Sequence, residues 1–449
     1  MQTHSAPRRP VNSAQLLAVG FAILIAIGTA LLSLPAASQG ERLSLLDALF
    51  TSTSAVCVTG LTVITPAAQL TRFGQVVLIS LIQVGGLGFM AFSTLLFMIV
   101  GKKLTLKNRL LLRESLNTDQ LSGLIELIKW IFALTIGTEL VGAALLSIRF
   151  IPKYGYGEGI FMSVFHSISA FCNAGFDLLG SDSLVSLNSD PLILLPLMLV
   201  ITCGSMGFTV MTDVIRNRRF SRLSVHSRLV LILTGVLLAS GALFTLLLEW
   251  NNPATLGGMD SAWDRILNAL FQSVTLRTAG FASLDQTSLH QSTKFLSCLY
   301  MFIGAAPAST GGGVKLTTFA SLLLLVSAIA QGREQTVIFR HTISRKTLER
   351  ATCILLIALG VVFIDVLLLS IAEPGQPLIS VMYEAVSAGA TVGLSCNMTG
   401  TLSLPGRLII ILTMFIGRVG PLTLALALTH RQSPAKDKLK FPEAHIMIG

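Results

Sequence analysis

Four short motifs in this 449-residue chain place a glycine between small or apolar residues and a bulky apolar one, a composition suited to cation coordination by the backbone. They are Val58-Thr59-Gly60-Leu61, Asn173-Ala174-Gly175-Phe176, Thr278-Ala279-Gly280-Phe281 and Thr391-Val392-Gly393-Leu394. The glycines lie roughly 105 to 115 residues apart, the mark of an internal repeat. Glycine permits backbone angles closed to other residues and keeps side chains away from a crowded point. Carbonyls of the two residues before each glycine can then converge on one axis, and a ring of such carbonyls replaces the water shell of a potassium ion. The competing use of these glycines is close helix packing, which is common in membranes. Four copies in register favour coordination, because irregular backbone at membrane depth must be buried or line a cavity.

The elements that must position these loops are membrane spans. Hydrophobic residues make up 52% of the chain and charged residues 12%, with a mean hydropathy of +0.75. A soluble domain carries about a quarter charged residues, so the composition indicates a polytopic membrane protein. Each repeat reads as a first span, a shorter apolar segment ending in the glycine loop, and a second span. The first spans fall at 15–35, 125–148, 228–249 and 351–372, the short segments at 45–56, 159–172, 262–277 and 378–390, and the second spans at 73–100, 191–214, 295–330 and 406–429. The short segments cannot cross the hydrocarbon core, which needs about 20 residues, so they are expected to be re-entrant half-helices. Their C-terminal dipole ends would favour a cation at the bilayer centre. The expected fold is all-α, with eight transmembrane helices and four half-helices in a pseudo-fourfold arrangement around one pore.

The first apolar segment follows Arg8 and Arg9, and a signal peptide is the other reading of that pattern. Its length favours an uncleaved span. The six cysteines are scattered and form no CxxC pair, which argues against a zinc site or a disulfide framework.

Charge sets the orientation. The connectors at 101–124, 215–227 and 331–350 are rich in Lys and Arg, so they, the arm 1–14 and the tail 430–449 are expected to be cytoplasmic. This asymmetry also accounts for the net charge of +10 without a nucleic-acid partner. Asp47, Glu158, Asp177, Asp182, Asp190, Asp260, Asp264 and Asp285 lie in segments next to the glycine loops and would make an acidic outer mouth that concentrates cations.

Beyond the loops, the segment 304–314 interrupts the second span of the third repeat with Ser309, Thr310, Gly311, Gly312 and Gly313, followed by Lys315. It reads as a kinked helix or as an intramembrane loop. Arg418 falls mid-way along the last span, where a charge is costly and by default functional. Lys315 reads either as a pore group or as a cytoplasm-facing one. Glu139 and Asp365 lie within first spans, as candidate proton relays or as hydrogen-bonded groups at helix contacts.

The loops, together with 304–315 and Met414-Phe415-Ile416-Gly417-Arg418-Val419-Gly420-Pro421-Leu422-Thr423, resemble the Trk/Ktr/HKT superfamily of potassium transporters, in particular the Ktr-type membrane subunits. Cys57, where relatives more often have a hydroxyl or small residue, and Leu276, where a proline is more usual, depart from the pattern outside the carbonyl ring. The resemblance implies a filter made by Val58, Thr59, Gly60, Asn173, Ala174, Gly175, Thr278, Ala279, Gly280, Thr391, Val392 and Gly393. It implies a gate made by Ser309, Thr310, Gly311, Gly312, Gly313, Lys315 and Arg418. It further implies potassium as the transported ion with sodium as a candidate activator, and a homodimer in the bacterial cell membrane. A cytosolic ring of RCK-type subunits would supply ATP or ADP control, since this chain has no dinucleotide motif and no cofactor of its own. The residues themselves leave two transport classes open, a channel-like potassium pathway and an alternating-access carrier built from broken helices. No nucleophile or metal-ligand pattern suggests an enzyme.

Overall fold

A computed structural model of the chain describes residues 13–88 and 124–420, together with Thr423. The N-terminal arm, the basic residues Lys102, Lys103, Lys107, Arg109 and Arg113, and the C-terminal tail lie outside the described residues. The described chain is helical apart from a two-stranded ribbon, β1 (Val337–Ile338) and β2 (His341–Thr342).

The first repeat comprises α1 (Ser13–Leu32), α2 (Leu45–Val56) and α3 (Arg72–Leu87). The second has α4 (Leu124–Tyr154), α5 (Tyr156–Phe171), α6 (Pro191–Met206) and α7 (Phe208–Asn217). The third has α8 (Val225–Glu249), α9 (Ala262–Thr275), α10 (Gln291–Phe302) and α11 (Leu316–Ala330). The fourth has α12 (Arg345–Ala372), α13 (Leu378–Gly389) and α14 (Leu404–Val419). Short polar caps start many of them. The side chains of Ser44, Thr71, Asp190, Ser261 and Ser403 each accept a hydrogen bond from a backbone N–H in the first turn, satisfying one of the orphan donors there.

Among the described residues, four helices are long and apolar enough to cross a membrane: Gln15–Leu32, Glu126–Tyr154, Val225–Glu249 and Arg345–Ala372. These are the first helices of the four repeats, and they leave large apolar side chains such as Ile23, Leu140, Leu243 and Phe363 exposed, as a lipid-facing surface requires. The second spans are not the continuous helices that their apolar runs suggest. Three of them stop at a glycine of one backbone conformation: Gly88 (φ 84°, ψ 134°), Gly207 (φ 90°, ψ 136°) and Gly420 (φ 92°, ψ 130°). At Gly207 the chain turns so that α6 and α7 make an angle of 100°. In the third repeat the helix ends at Phe302, and residues 303–315 form an irregular segment before α11. An isolated glycine costs an apolar helix only about 1 kcal/mol, so these breaks are hidden in the hydrophobic runs.

Small residues let the helices cross closely. The Cβ positions of Gly28, Gly142 and Gly241 on the first spans would collide with the hydroxyls of Ser52, Ser167 and Ser273 on the short helices. Those hydroxyls donate to the first-span carbonyls of Ile25 (2.8 Å), Glu139 (2.7 Å) and Leu238 (2.9 Å). The fourth repeat carries the buried Ala385 in the corresponding position and lacks this bond.

Candidate functional site: a ring of four glycine loops

Each short helix runs into its glycine loop with the same backbone device. Val58 (φ 55°), Asn173 (φ 56°), Thr278 (φ 68°) and Thr391 (φ 51°) are left-handed, and two residues on so are Gly60 (φ 93°), Gly175 (φ 68°), Gly280 (φ 80°) and Gly393 (φ 95°). The residues between, Thr59, Ala174, Ala279 and Val392, are not left-handed, and all of these loop side chains are buried. Left-handed backbone is uncommon for non-glycine residues, so four loops sharing it mark one built structure.

The loops meet. A Cβ on Gly60 would lie 2.5 Å from the carbonyl oxygen of Ala174, and one on Gly175 would lie 2.9 Å from that of Ala279. One on Gly280 would lie 2.5 Å from the oxygen of Val392, and one on Gly393 would collide with the oxygen of Thr59. Each glycine therefore faces the carbonyl before the next glycine in chain order, and the fourth faces the first. The contacts close a ring. All four glycines line one cavity of about 700 Å³, whose wall also holds Asp177, Asp182 and Asp285.

A hydroxyl near the end of each short helix fastens the loop that follows. Ser54 Oγ and Ser387 Oγ accept from the backbone N–H of Gly60 and Gly393, each at 3.0 Å. Ser169 Oγ and Thr275 Oγ1 instead donate to the carbonyls of Phe176 and Phe281, each at 2.7 Å. Sequence reading passed over these four residues, because a lone Ser or Thr in an apolar helix carries no pattern. Alignment of the four loops on their glycines brings Ser54, Ser169 and Ser387 into register but leaves Thr275 one position out.

The segment after α10 lies directly against the inner side of the ring. A Cβ on Gly311 would collide with Thr278 Oγ1, and one on Gly312 would collide with Thr391 Oγ1. In one orientation the Asn173 carboxamide donates to Arg277 O and Thr278 Oγ1, both at 3.3 Å, and turned over it donates to Ala170 O at 3.1 Å. The first half of the segment is clamped to the second repeat. Ala306 N–H donates to Ser205 O (3.0 Å), Phe208 N–H to Ala308 O (2.8 Å), Thr310 N–H to Gly204 O (3.2 Å) and Thr310 Oγ1 to Phe171 O (2.9 Å). Ser309 Oγ donates to Ala306 O at 2.6 Å. The second half folds on itself, with Gly304 N–H donating to Val314 O (2.9 Å) and Lys315 Nζ to Gly311 O (2.7 Å). Lys315 is thus turned back into the segment.

Arg418 holds this arrangement from the fourth repeat. Its Nη1 donates to Thr310 O at 2.5 Å, and its Nη2 donates to Gly86 O at 2.9 Å and to Gly85 O. It sits in the last turn of α14, next to the Gly420 break, and not mid-helix as the apolar run implied. Glu139 and Asp365 are outside the ring. Asp365 Oδ1 accepts from Thr413 Oγ1 at 2.6 Å, and both carboxylates are buried at helix contacts.

In the mouth, burial alone would raise the Asp285 carboxyl, but hydrogen bonds from Ser288 and Thr287 and the charge of Lys294 outweigh it and hold the group below its ordinary value. Ser288 Oγ donates to Asp285 Oδ2 at 2.5 Å, and the Thr287 N–H to Oδ1 at 3.0 Å. The mouth therefore keeps this negative charge.

The four loops thus bring buried backbone carbonyls and glycines against one another in a ring, beside a cavity whose wall carries three aspartates. The sequence profile of the TrkH cation transport protein family matches residues 2–437. The chain belongs to this TrkH family. It is 44% identical over 435 residues to the Ktr system potassium uptake protein B of Bacillus subtilis, covering 97% of this chain and 96% of that protein. It is 38% identical to the potassium/sodium uptake protein NtpJ of Enterococcus hirae, covering 98% of each. The crystal structure of the potassium transporter TrkH from Vibrio parahaemolyticus superposes with a TM-score of 0.75 at 18% identity, over 95% of this chain and 87% of that one. That likeness establishes a TrkH-like fold. This TrkH-family chain is a multi-pass membrane protein of a transport family and not an enzyme.

Proposed function

We propose that this TrkH-family chain is the ion-conducting subunit of a Ktr-type potassium uptake system. The observation that carries the reading is the closed ring, in which each glycine faces the carbonyl before the next. Thr59, Ala174, Ala279 and Val392 and the residues before them would supply the carbonyls that replace the hydration shell. The reading takes the four repeats as pseudo-fourfold about that ring, with eight spans and four re-entrant helices. Potassium entering through the acidic mouth would be driven by the membrane potential, at about 2.3 kcal/mol per charge per 100 mV. Replacing Gly393, whose Cβ would meet Thr59 O, tests the filter. In a flux assay Gly393→Ser is expected to lower the preference for potassium over sodium at least about tenfold, a loss of about 1.4 kcal/mol. An unchanged preference sinks the filter assignment.

The gate in this reading is the segment 304–315. Gly311 and Gly312 lie against the inner hydroxyls of the ring, and Arg418 holds Thr310 in place. Deleting 309–313 is expected to raise potassium flux several-fold in liposomes and to remove any dependence on a soluble partner. If flux falls or stays regulated, the segment is not the gate. Relatives named as components of a Ktr system support a second component, here a cytosolic nucleotide-binding ring acting on a homodimer of this chain.

A further inference from the structure

The second repeat attaches the gate segment to a helix with its own surface. After the turn at Gly207, α7 runs at 100° to the span before it, the direction of a helix that follows a membrane face. The turn grips the gate segment. A Cβ on Gly207 would stand 2.6 Å from Pro307 O, and Phe208 N–H donates to Ala308 O. The far end of α7 carries Arg216 and the short turn that follows it carries Arg218, Arg219 and Arg222, all exposed, interleaved with exposed Ile215 and Phe220.

The shape of this end is fixed. Asp213 accepts from Asn217 Nδ2 (2.5 Å) and from Ser224 N–H (3.0 Å), and Arg228 donates to Leu223 O (2.8 Å) and Ser221 O (2.5 Å). Arg216 pairs with Glu126 at 2.6 Å and lies 6.0 Å from the Trp130 ring. Trp at the end of a span marks headgroup level. Among the described residues, Arg218, Arg219 and Arg222 have no carboxylate partner within salt-bridge distance.

We infer that the segment from Gly207 to Arg222 is a lipid-sensing lever, whose basic end binds anionic phospholipid headgroups and whose first turn moves the gate segment. The inference rests on reading 304–315 as the gate. Apolar side chains beside arginines on an interfacial helix match an acyl boundary below and phosphates above. That mixture favours lipid over a soluble acidic protein. Pulling α7 toward the headgroups would draw Phe208 N–H from Ala308 O and loosen the clamp on 306–310, so anionic lipid is expected to open the pathway.

The test uses the full chain with Trp250→Phe and Trp263→Phe, which leaves Trp130 as its single tryptophan. It is reconstituted in phosphatidylcholine vesicles with increasing phosphatidylglycerol, either lipid being brominated as a quencher. Trp130 fluorescence should be quenched several-fold more strongly by the brominated anionic lipid, and potassium flux should rise several-fold with anionic content. R216Q/R218Q/R219Q/R222Q should remove both effects. G207A should keep the quenching preference but lose the lipid dependence of flux. Equal quenching by the two lipids overturns the site, and preferential quenching with flux indifferent to lipid overturns the lever. If the arginine variant keeps its lipid preference and loses only its response to a soluble partner, the surface is a protein dock and the inference fails. Quenching needs no transport, so a failed potassium-pathway reading shows as absent flux with the lipid preference intact.

Discussion

Ser54 and Ser387 hold the glycine N–H groups of the first and fourth loops, while Ser169 and Thr275 hold the carbonyls one residue past the glycine in the second and third. Removing a partner from a buried N–H costs about 1–3 kcal/mol, enough to free a loop without unfolding the helix before it. Ser387→Ala should therefore leave the protein folded and conducting but blur its choice between potassium and sodium. Ser387→Thr, which restores the hydroxyl, should recover much of it. Competition flux in proteoliposomes checks both, and full selectivity in the alanine variant would remove the hydroxyl from the filter. The glycine motifs themselves were legible because type and spacing repeat together. The hydroxyls were not, since the third lies five residues before its glycine and the others six, a mismatch that only the folded loops explain.

At the scale of helices, the apolar runs disclosed the first spans and the short helices closely, with Leu45–Val56 and Leu378–Gly389 falling within a residue of expectation. The breaks in the second spans of the first, second and fourth repeats were not legible, because a single glycine leaves hydropathy unchanged while a backbone at φ near 90° ends the helix. The depth of Arg418 was misjudged for the same reason. The interruption at 304–314 was visible since three adjacent glycines are poor helix interior. Glycines that look alike in sequence also separate by their surroundings. Gly204 packs against Phe171 O at the end of a short helix, whereas nothing lies within 4 Å of a Cβ placed on Gly137. Gly204→Ala should lower the melting temperature markedly, at a cost of about 1–3 kcal/mol from overpacking. Gly137→Ala should be neutral or stabilising by up to about 1 kcal/mol. Thermal unfolding in detergent compares them, and equal shifts would argue against a tight crossing at Gly204.

Across the whole molecule, the repeats are tied to one another on the mouth side. Arg407 of the fourth pairs with Asp47 of the first at 2.6 Å, across 360 positions of chain, and Arg72 of the first pairs with Glu158 of the second. The mouth above them keeps its charge through Asp285. A carboxyl held below its ordinary value contributes stability that is present above the unfolded value of about 3.9. That contribution is lost only as pH falls through the lower folded value. Potassium uptake at low concentration should thus persist as pH falls toward 4, whereas Asp285→Asn should raise the half-saturating concentration with little change in maximal rate. A mutant whose maximal rate falls at unchanged half-saturation would place Asp285 in the conduction step and not in the mouth field.

The glycine contacts run in one rotational sense, each loop leaning on its successor and the last on the first. Such an arrangement behaves as an iris whose blades rest on one another. Its aperture is a property of the circuit, and no single blade owns it. A side chain added at any of the four positions displaces a neighbour, which displaces the next, so four chemically different loops should fail alike.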